Sequence, residues 1–204
     1  MTTVLPRLAT GINSSTDPSV LQTLGSEGVS LALWQRTLPE QLIVALDELP
    51  VERLPQLRRR VTVRNAATAI HSACDEVGAG SCATLLADVV KDLSAHAVRV
   101  LASPVLQLRL DVTDGQPCPN WHVDAVPGRM LCTLRGPGTE FGPIGPDGAP
   151  KTIQRMPRGW VGVFRGALWP ARELAAVLHR SPPREAGGPR LLLVIDPVDD
   201  AGTC

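Results

Sequence analysis

The sequence predicts an α+β protein in which N-terminal helices back a barrel or jelly roll in the C-terminal half. Before residue 104, apolar side chains recur at helical spacing, and after it they alternate with polar ones as in strands. Turns rich in glycine and proline separate these short strands, a pattern typical of barrels and jelly rolls. At 204 residues the chain is expected to form a single domain, with a mainly helical subregion over residues 1–103 and a β core over residues 104–204.

Three helices are predicted in the N-terminal half. The first begins at Thr37, where a capping side chain is followed three positions later by Glu40, and Pro50 ends it. The longest is predicted to have Ser81 as its cap, and its apolar stripe ends at Leu101, before Pro104. In order, the predicted elements are a loosely ordered arm over residues 1–28, a short strand over 29–34, and helices over 37–49, 66–77 and 81–101.

The C-terminal half is predicted to consist mostly of strands. Residues 105–112 alternate apolar and polar side chains, as a half-buried strand does. Residues 142–159 contain many glycines and prolines, so we expect a long loop there, of a kind that often binds or covers substrates. The remaining predicted strands are one containing His122 and Asp124 and three over residues 129–134, 160–164 and 191–195.

Charge and apolar content exclude several classes of partner. Lys plus Arg and Asp plus Glu each number 20, so no overall field favours nucleic acid or an anionic membrane. No apolar run approaches the roughly 20 residues of a transmembrane helix, and the N-terminus lacks the features of a secretory signal. We therefore expect a cytoplasmic protein that binds neither nucleic acid nor membrane; no feature of the sequence defines its oligomeric state. Lysine is confined to Lys91 and Lys151, an arginine bias typical of GC-rich bacterial genomes.

The segment from Cys118 to Asp124 carries the clearest chemical signal. Within a strand, His122 and Asp124 would project from the same face because they are two residues apart. His179, on a later strand, is the best candidate for a third ligand. Two histidines and one carboxylate on one face of a metal leave the opposite positions open for substrate and oxygen, which is typical of non-heme Fe(II) oxygenases. The alternative is that His122 and Asp124 form a hydrogen-bonded surface pair.

Cys118 bears on which metal such a site would bind. It precedes His122 by four residues, close enough across a turn to reach the same cation, and a thiolate there would favour zinc over iron. In the other interpretation Cys118 packs as a small apolar side chain. The five cysteines contain no Cys-x-x-Cys pair, so neither a disulfide framework nor a zinc ribbon is expected.

In their order along the chain, these motifs resemble those of the Fe(II)/2-oxoglutarate-dependent oxygenase superfamily, whose members are built on a double-stranded β-helix, a jelly-roll, cupin-like fold. The similarity covers residues 104–196 and includes a His-x-Asp motif at residues 122–124. Further similar segments are Gly138-Thr139-Glu140-Phe141, residues 159–164, and His179 followed by Pro182, Gly188 and Arg190. The resemblance implies an Fe(II) oxidoreductase, a dioxygenase that uses 2-oxoglutarate as cosubstrate and O2 to hydroxylate or otherwise oxidise a small-molecule or amino-acid-like substrate.

Within this resemblance, Arg190 is the expected cosubstrate-binding residue. It begins an apolar run that ends at Ile195, and an arginine entering a buried strand needs an anionic partner. Its planar guanidinium matches the far carboxylate of a keto acid, and an ion pair with Asp111 is an equal alternative. Arg180 and Arg135 are reserve candidates. Other residues expected to border the pocket are Arg109, Cys118, Trp121, Thr139, Glu140, Trp160 and Trp169.

The whole chain also resembles a bacterial family of unknown function. The shared motifs are Cys-Pro-x-x-His-x-Asp at residues 118–124, Arg-Gly-Pro-Gly-Thr-Glu at 135–140 and His-Arg-Ser-Pro-Pro at 179–183. Some members of that family are associated with zinc homeostasis, which leaves the metal open between iron and zinc. Two alternative functions follow: a noncatalytic zinc-binding protein of metal homeostasis, and a cupin-like metal-dependent isomerase or lyase that needs no oxygen.

Overall fold

A computed structural model describes residues 7–198. They form three layers, with helices on one face of a large sheet and a smaller sheet on its other face. The helices are α1 (Glu40–Glu48), α2 (Val63–Val77) and α3 (Gly80–Val100), with short 3-10 helices at Pro18–Gly25, Val51–Arg53 and Arg184–Ala186. The strands are β1 (Leu8–Ala9), β2 (Gly11–Ser15), β3 (Val29–Trp34), β4 (Leu57–Val61), β5 (Leu106–Thr113), β6 (Gly128–Arg135), β7 (Glu140–Pro143), β8 (Gln154–Arg155), β9 (Val161–Arg165), β10 (Leu174–Ala175), β11 (Val177–Arg180) and β12 (Arg190–Pro197).

The large sheet has seven strands in the order β2-β3-β9-β6-β12-β5-β4. All neighbours are antiparallel except β2 and β3. Strand β12 lies near the middle, between β5 and β6, and is apolar at nearly every position because both of its faces are covered. Its odd-numbered residues Leu191, Leu193 and Ile195 face the helices, whereas Leu192 and Val194 face the smaller sheet.

The helical layer covers one face of the large sheet. The buried stripe of α3, which includes Leu86, Val90 and Leu93, belongs to the same core cluster as Leu108 and Leu110 of β5. Gly78 ends α2 in the left-handed conformation with φ of 66°, which a glycine adopts without steric cost. The turn that follows lets α3 begin within two residues, so the two helices pack as an antiparallel pair. None of the helices in the described part of the chain is long and apolar enough to cross a membrane.

The smaller sheet has the order β11-β7-β8 and packs against the opposite face of the large one. Phe141 of β7 and Val177 of β11 lie in one buried cluster with Leu131, Phe164 and Val194 of the large sheet. The aromatic rings of Phe141 and Phe164 meet edge to face, with centroids 6.5 Å apart. This apolar contact fixes the spacing of the two sheets and leaves room for a cavity beside it.

The N-terminal half contains more strand than the sequence predicts. Strands β2, β3 and β4 all join the large sheet, so residues before 104 supply part of the core sheet as well as the helices. Residues 8–25 form β1, β2 and a 3-10 helix instead of a loose arm, and residues 1–6 lie outside the described part of the chain. Local sequence patterns do not predict these edge strands, because β2 is Gly-Ile-Asn-Ser-Ser and β4 carries three consecutive arginines, so neither shows apolar alternation.

The predicted helices are present, but their predicted caps are wrong. Helix α1 begins at Glu40 after Pro39 with no side-chain cap, and α3 begins after Ala79, so neither Thr37 nor Ser81 acts as a cap. A capping box exists instead at α2, where Thr62 and Asn65 bond reciprocally.

Gly138 lies between β6 and β7, where a side chain has no room. A Cβ atom at this position would overlap the carbonyl oxygen of Met156, a backbone atom that cannot rotate away. We expect Gly138→Ala to lower the free energy of unfolding by about 1–3 kcal/mol, measured by urea denaturation. Gly80→Ala is the matched control, because its Cβ would meet nothing within 4 Å and should leave stability unchanged or slightly raised. Equal stabilities of the two variants would contradict this packing.

Candidate metal centre and cavity

His122, Asp124 and His179 converge although the first and the last are 57 positions apart in the sequence. His122 Nε2 lies 3.7 Å from Asp124 Oδ1, and His179 Nε2 lies 3.1 Å from Asp124 Oδ2. One ligand atom from each residue falls within 4.8 Å of the other two. Among the described residues this is the set of His, Cys, Asp and Glu side chains close enough to hold one metal ion.

The segment carrying His122 and Asp124 is not the regular strand that the sequence predicts. Residues 114–127 are irregular, and His122 alone pairs with β11 through two backbone hydrogen bonds to His179, of 3.1 and 3.0 Å. Pro117, Pro119 and Pro127 explain this, because a proline has no N–H to donate to a ladder. The single bridge nevertheless sets the two imidazoles side by side, with ring centroids 4.5 Å apart.

Asp124 is buried and forms an ion pair with Arg129. Arg129 of β6 donates to its Oδ1 and also makes a bidentate pair with Asp196 of β12, at 2.6 and 2.8 Å. Burial alone would raise the pKa of Asp124, but its interactions with His122, His179 and Arg129 outweigh burial and hold the pKa well below its usual range. The carboxylate is therefore ionised at neutral pH, as a metal ligand must be.

The two imidazoles differ in their surroundings. The interaction with Asp124 raises the pKa of His122, whereas burial lowers the pKa of His179 and keeps that ring neutral. His122 Nδ1 lies 2.9 Å from the carbonyl oxygen of Asn120, which can only accept, so this nitrogen carries the proton and Nε2 keeps a free lone pair. Asp124 Oδ2 and His179 Nδ1 are buried without a hydrogen-bond partner. The donor set and the unsatisfied Asp124 Oδ2 fit a divalent cation.

The three side chains border a cavity of about 380 Å³ between the two sheets. Its volume lies within the range of roughly 300–1,000 Å³ found for small-molecule sites. Of the residues predicted from sequence, the cavity is lined by His122, Asp124, His179, Arg190, Arg180, Arg109, Cys118 and Thr139. Within the described residues none from 140 to 178 lines it, so the glycine-rich segment 142–159 is not a lid. Instead, the segment contains β8, which pairs with Glu140 and Phe141 of β7.

Arg190 is the most constrained side chain of the cavity wall. It is 2% exposed, and its guanidinium donates to the hydroxyls of Thr139 at 3.1 Å and Thr133 at 3.4 Å. Its Nε has no partner, and no carboxylate of residues 7–198 forms an ion pair with it, so the alternative pairing with Asp111 is not present. Burial lowers the pKa of Arg190 to about 10, which still leaves it charged at pH 7. A buried cation without a counter-charge is costly, and an anionic ligand would relieve that cost.

Arg180 and Glu140 support the wall of the cavity from the smaller sheet. Arg180 donates to Glu140 at 2.9 Å, and its guanidinium lies 4.3 Å from the ring centroid of Trp121. Burial works to raise the pKa of Glu140, but hydrogen bonds from Arg155 and Arg180 outweigh it and hold the pKa low. Trp121 and Glu140 thus lie behind the residues that line the cavity. The guanidinium of Arg180 is already paired with the Glu140 carboxylate.

Three predicted site residues lie elsewhere. Arg135 donates to the carbonyls of Leu46 and Leu49, at 2.9 and 2.7 Å, at the C-terminal end of α1. The pairing of β6 with β12 shifts register at Leu191, which turns Arg135 to the helical face. Trp160 packs against the apolar cluster between the sheets, and Trp169 packs against the helical core.

Cys118 is exposed at the cavity edge and is not part of the metal-ligand set.

Arg129 is the functional residue that sequence reasoning missed. It is a charged residue near the start of the mostly apolar strand β6, and the register between β6 and β12 brings it to Asp196. The sequence shows only that Arg129 lies in one predicted strand and that Asp196 directly follows another. The pairing of β6 with β12 is needed to show that the two side chains meet.

Comparisons with solved structures place the fold in a class. Over 95% of this chain and 94% of the other, it is similar to the dioxygenase for auxin oxidation 1 from Arabidopsis thaliana in its binary complex with 2-oxoglutarate, with a TM-score of 0.57 and 12% identity. The rice dioxygenase for auxin oxidation matches with a TM-score of 0.54 and 15% identity, over 94% of this chain and 84% of that one. The chain therefore has the general fold of these oxygenases.

The family model described as "Protein of unknown function (DUF1826)" matches residues 15–196. The chain belongs to this family. None of the curated proteins matches its sequence significantly.

The buried Asp124 predicts a specific acid dependence of stability. Because its pKa is depressed in the folded state, the unfolded chain takes up a proton near pH 4 that the folded protein binds only at lower pH. Stability contributed by this carboxylate is present above that pH and is lost as the pH falls. In metal-free protein we expect Asp124→Asn to reduce the slope of unfolding free energy against pH between about 2 and 4, by up to about 1.4 kcal/mol per pH unit. The exposed Asp88→Asn is the control; an equal change in both variants would contradict the assignment.

Removal of Arg129 should destabilise the protein by leaving two carboxylates without their cation. We expect Arg129→Met to lower the free energy of unfolding of the metal-free protein by about 3 kcal/mol or more, measured by chemical denaturation. Arg59→Met, at an exposed position of β4, should change it by less than about 0.5 kcal/mol. A loss of stability no larger than that of the control would show that the pairing with Asp124 and Asp196 contributes little.

Proposed function

We propose that the protein is a non-heme Fe(II)- and 2-oxoglutarate-dependent dioxygenase that hydroxylates or otherwise oxidises a small molecule. The observation that carries this proposal is the presence, in one cavity, of a two-histidine, one-carboxylate set and a buried arginine without a carboxylate partner. The two facing sheets support the further proposal that the core is a double-stranded β-helix, as the resemblance of the motifs implies.

His122, Asp124 and His179 would hold the metal on one face. Their arrangement leaves the side toward the cavity for cosubstrate and substrate. The backbone carbonyl of Asn120 fixes the tautomer of His122, and Arg129 fixes one oxygen of Asp124 while the other stays directed at His179. When bound, Fe(II) with 2-oxoglutarate and O2 supplies the oxidising power to break a substrate C–H bond, with succinate and CO2 as coproducts.

Arg190 would bind the far carboxylate of 2-oxoglutarate. Its planar fork can donate two parallel hydrogen bonds to a carboxylate, and the hydroxyls of Thr133 and Thr139 hold it in place. Leu192 and Val194 follow on the same face of β12 and provide apolar walls for the carbon chain between Arg190 and the metal ligands.

The test combines metal binding, cosubstrate binding and turnover. Anaerobic addition of Fe(II) and 2-oxoglutarate to the metal-free protein should give a visible charge-transfer band, and addition of O2 with ascorbate should give succinate. His179→Ala should abolish the band because it removes one of three ligands. Arg190→Met should weaken 2-oxoglutarate binding by about tenfold or more, the cost of losing a charge-assisted pair.

The same assays include a matched control variant and distinguish the proposed dioxygenase from the two alternative functions. Arg59→Met removes an exposed arginine that lies opposite Leu108, on the face of β4 turned away from the cavity, and should leave the band and the cosubstrate affinity unchanged. Protein that purifies with one equivalent of zinc and forms no succinate would instead indicate a noncatalytic zinc-binding protein. Turnover of a substrate that persists without O2 would indicate a metal-dependent isomerase or lyase.

A further inference from the structure

Four arginines border the cavity, and they differ in what neutralises them. Arg129 is paired with Asp124 and Asp196, and Arg180 is paired with Glu140. Arg190 is assigned above to the cosubstrate. Arg109 remains, so the cavity wall contains one more cation than the proposed metal centre and cosubstrate require.

Arg109 lies on β5, opposite Val194 of β12, and is partly buried. Its Nε is buried and has no hydrogen-bond partner. The nearest carboxylate oxygen paired with it is Asp111 Oδ2, at 3.8 Å, which is beyond hydrogen-bond distance and belongs to a side chain 38% exposed to solvent. Arg109 therefore presents a guanidinium with unsatisfied donor capacity to the cavity.

A second arginine strengthens this positive region. Arg58 of β4 is the direct cross-strand partner of Arg109, so both side chains stand on the same face of the sheet. Like charges in this position repel each other, and among residues 7–198 no carboxylate forms an ion pair with Arg58. Arg109 and the exposed Arg58 thus stand on one face with a single weakly paired carboxylate, Asp111, which leaves an excess positive charge beside the cavity.

The position of Arg109 separates it from the cosubstrate arginine. On β12, Arg190 pairs with Thr113 and Val194 pairs with Arg109, so the two arginine backbones are four residues apart along neighbouring strands. At about 3.3 Å per residue this is roughly 13 Å, enough for two different carboxylates on one wall. The metal ligands His122 and Asp124 border the same cavity as both arginines.

We propose that the substrate is a small carboxylic acid whose carboxylate is bound by the guanidinium of Arg109, with Arg58 contributing to the attraction. This inference rests on the proposed function, because it names the substrate class of that site. A cavity of about 380 Å³ that also holds 2-oxoglutarate limits the acid to a compact molecule. Arg109 orients the acid through its anionic end, and the carbon atom to be oxidised lies toward the metal ligands.

The test compares acids with their neutral amides. Binding of phenylacetate, benzoate and butanoate, each paired with its primary amide, is measured by calorimetry with and without zinc and 2-oxoglutarate. We expect the wild type to bind at least one acid more tightly than its amide by about tenfold or more, the fold-change of a charge-assisted hydrogen bond. Arg109→Gln should abolish this preference while 2-oxoglutarate affinity stays within about twofold, and Arg109→Lys should retain part of it.

Control variants distinguish a failure of this inference from a failure of the proposed function. Arg190→Gln should weaken 2-oxoglutarate binding and keep the acid preference, and Arg58→Gln should reduce the preference a few-fold. Arg59→Gln, adjacent in sequence but on the opposite face of β4, should leave it unchanged. Equal binding of acid and amide in every pair, or a preference that survives Arg109→Gln in a folded protein, overturns the assignment. An acid preference that depends on Arg109 in a protein that binds no 2-oxoglutarate supports the carboxylate site and refutes the dioxygenase proposal.

Discussion

The arrangement of the site depends on one buried electrostatic network, in which Arg129 connects Asp124 to Asp196. Each carboxylate would be expensive to bury alone, and the shared guanidinium compensates both. The network also joins the irregular segment that carries Asp124 to two central strands of the large sheet. Without it, Asp124 would have no fixed direction and His179 would face an unpaired, mobile carboxylate.

The apolar contact between the sheets and this polar network have complementary roles. Phe141 and Phe164 set the separation of the sheets, while the charged residues occupy the part of the gap that remains open. Ionisable side chains cluster there because β5 directs its leucines toward the helices and its alternate polar residues, including Arg109 and Asp111, toward the gap. The cavity is therefore a consequence of strand alternation combined with incomplete coverage by the smaller sheet.

The sequence predicted the parts of this protein whose signals are local. The helices α2 and α3 and the strand β5 follow from the spacing of apolar residues. His122, Asp124 and His179 lie in short motifs that predict metal ligands. The assumption of a regular strand around His122 was wrong, because three prolines leave that segment without ladder hydrogen bonds. Arg129 and the orientation of Arg135 depend on pairings between distant strands and on a register shift, for which no local pattern exists.

Two backbone hydrogen bonds join His122 of the irregular segment to His179 of β11. They help to fasten the segment between β5 and β6 to the smaller sheet, together with a hydrogen bond from the Ser181 backbone N–H to the Cys118 carbonyl oxygen and the stacking of Arg180 on Trp121. A cation held by His122, Asp124 and His179 would act as a cross-link at that point, tying together two layers that otherwise meet through apolar packing. Because the ion would bind the folded protein and not the unfolded chain, its binding would add to the free energy of unfolding, and a shortage of the ion would weaken the attachment between the layers.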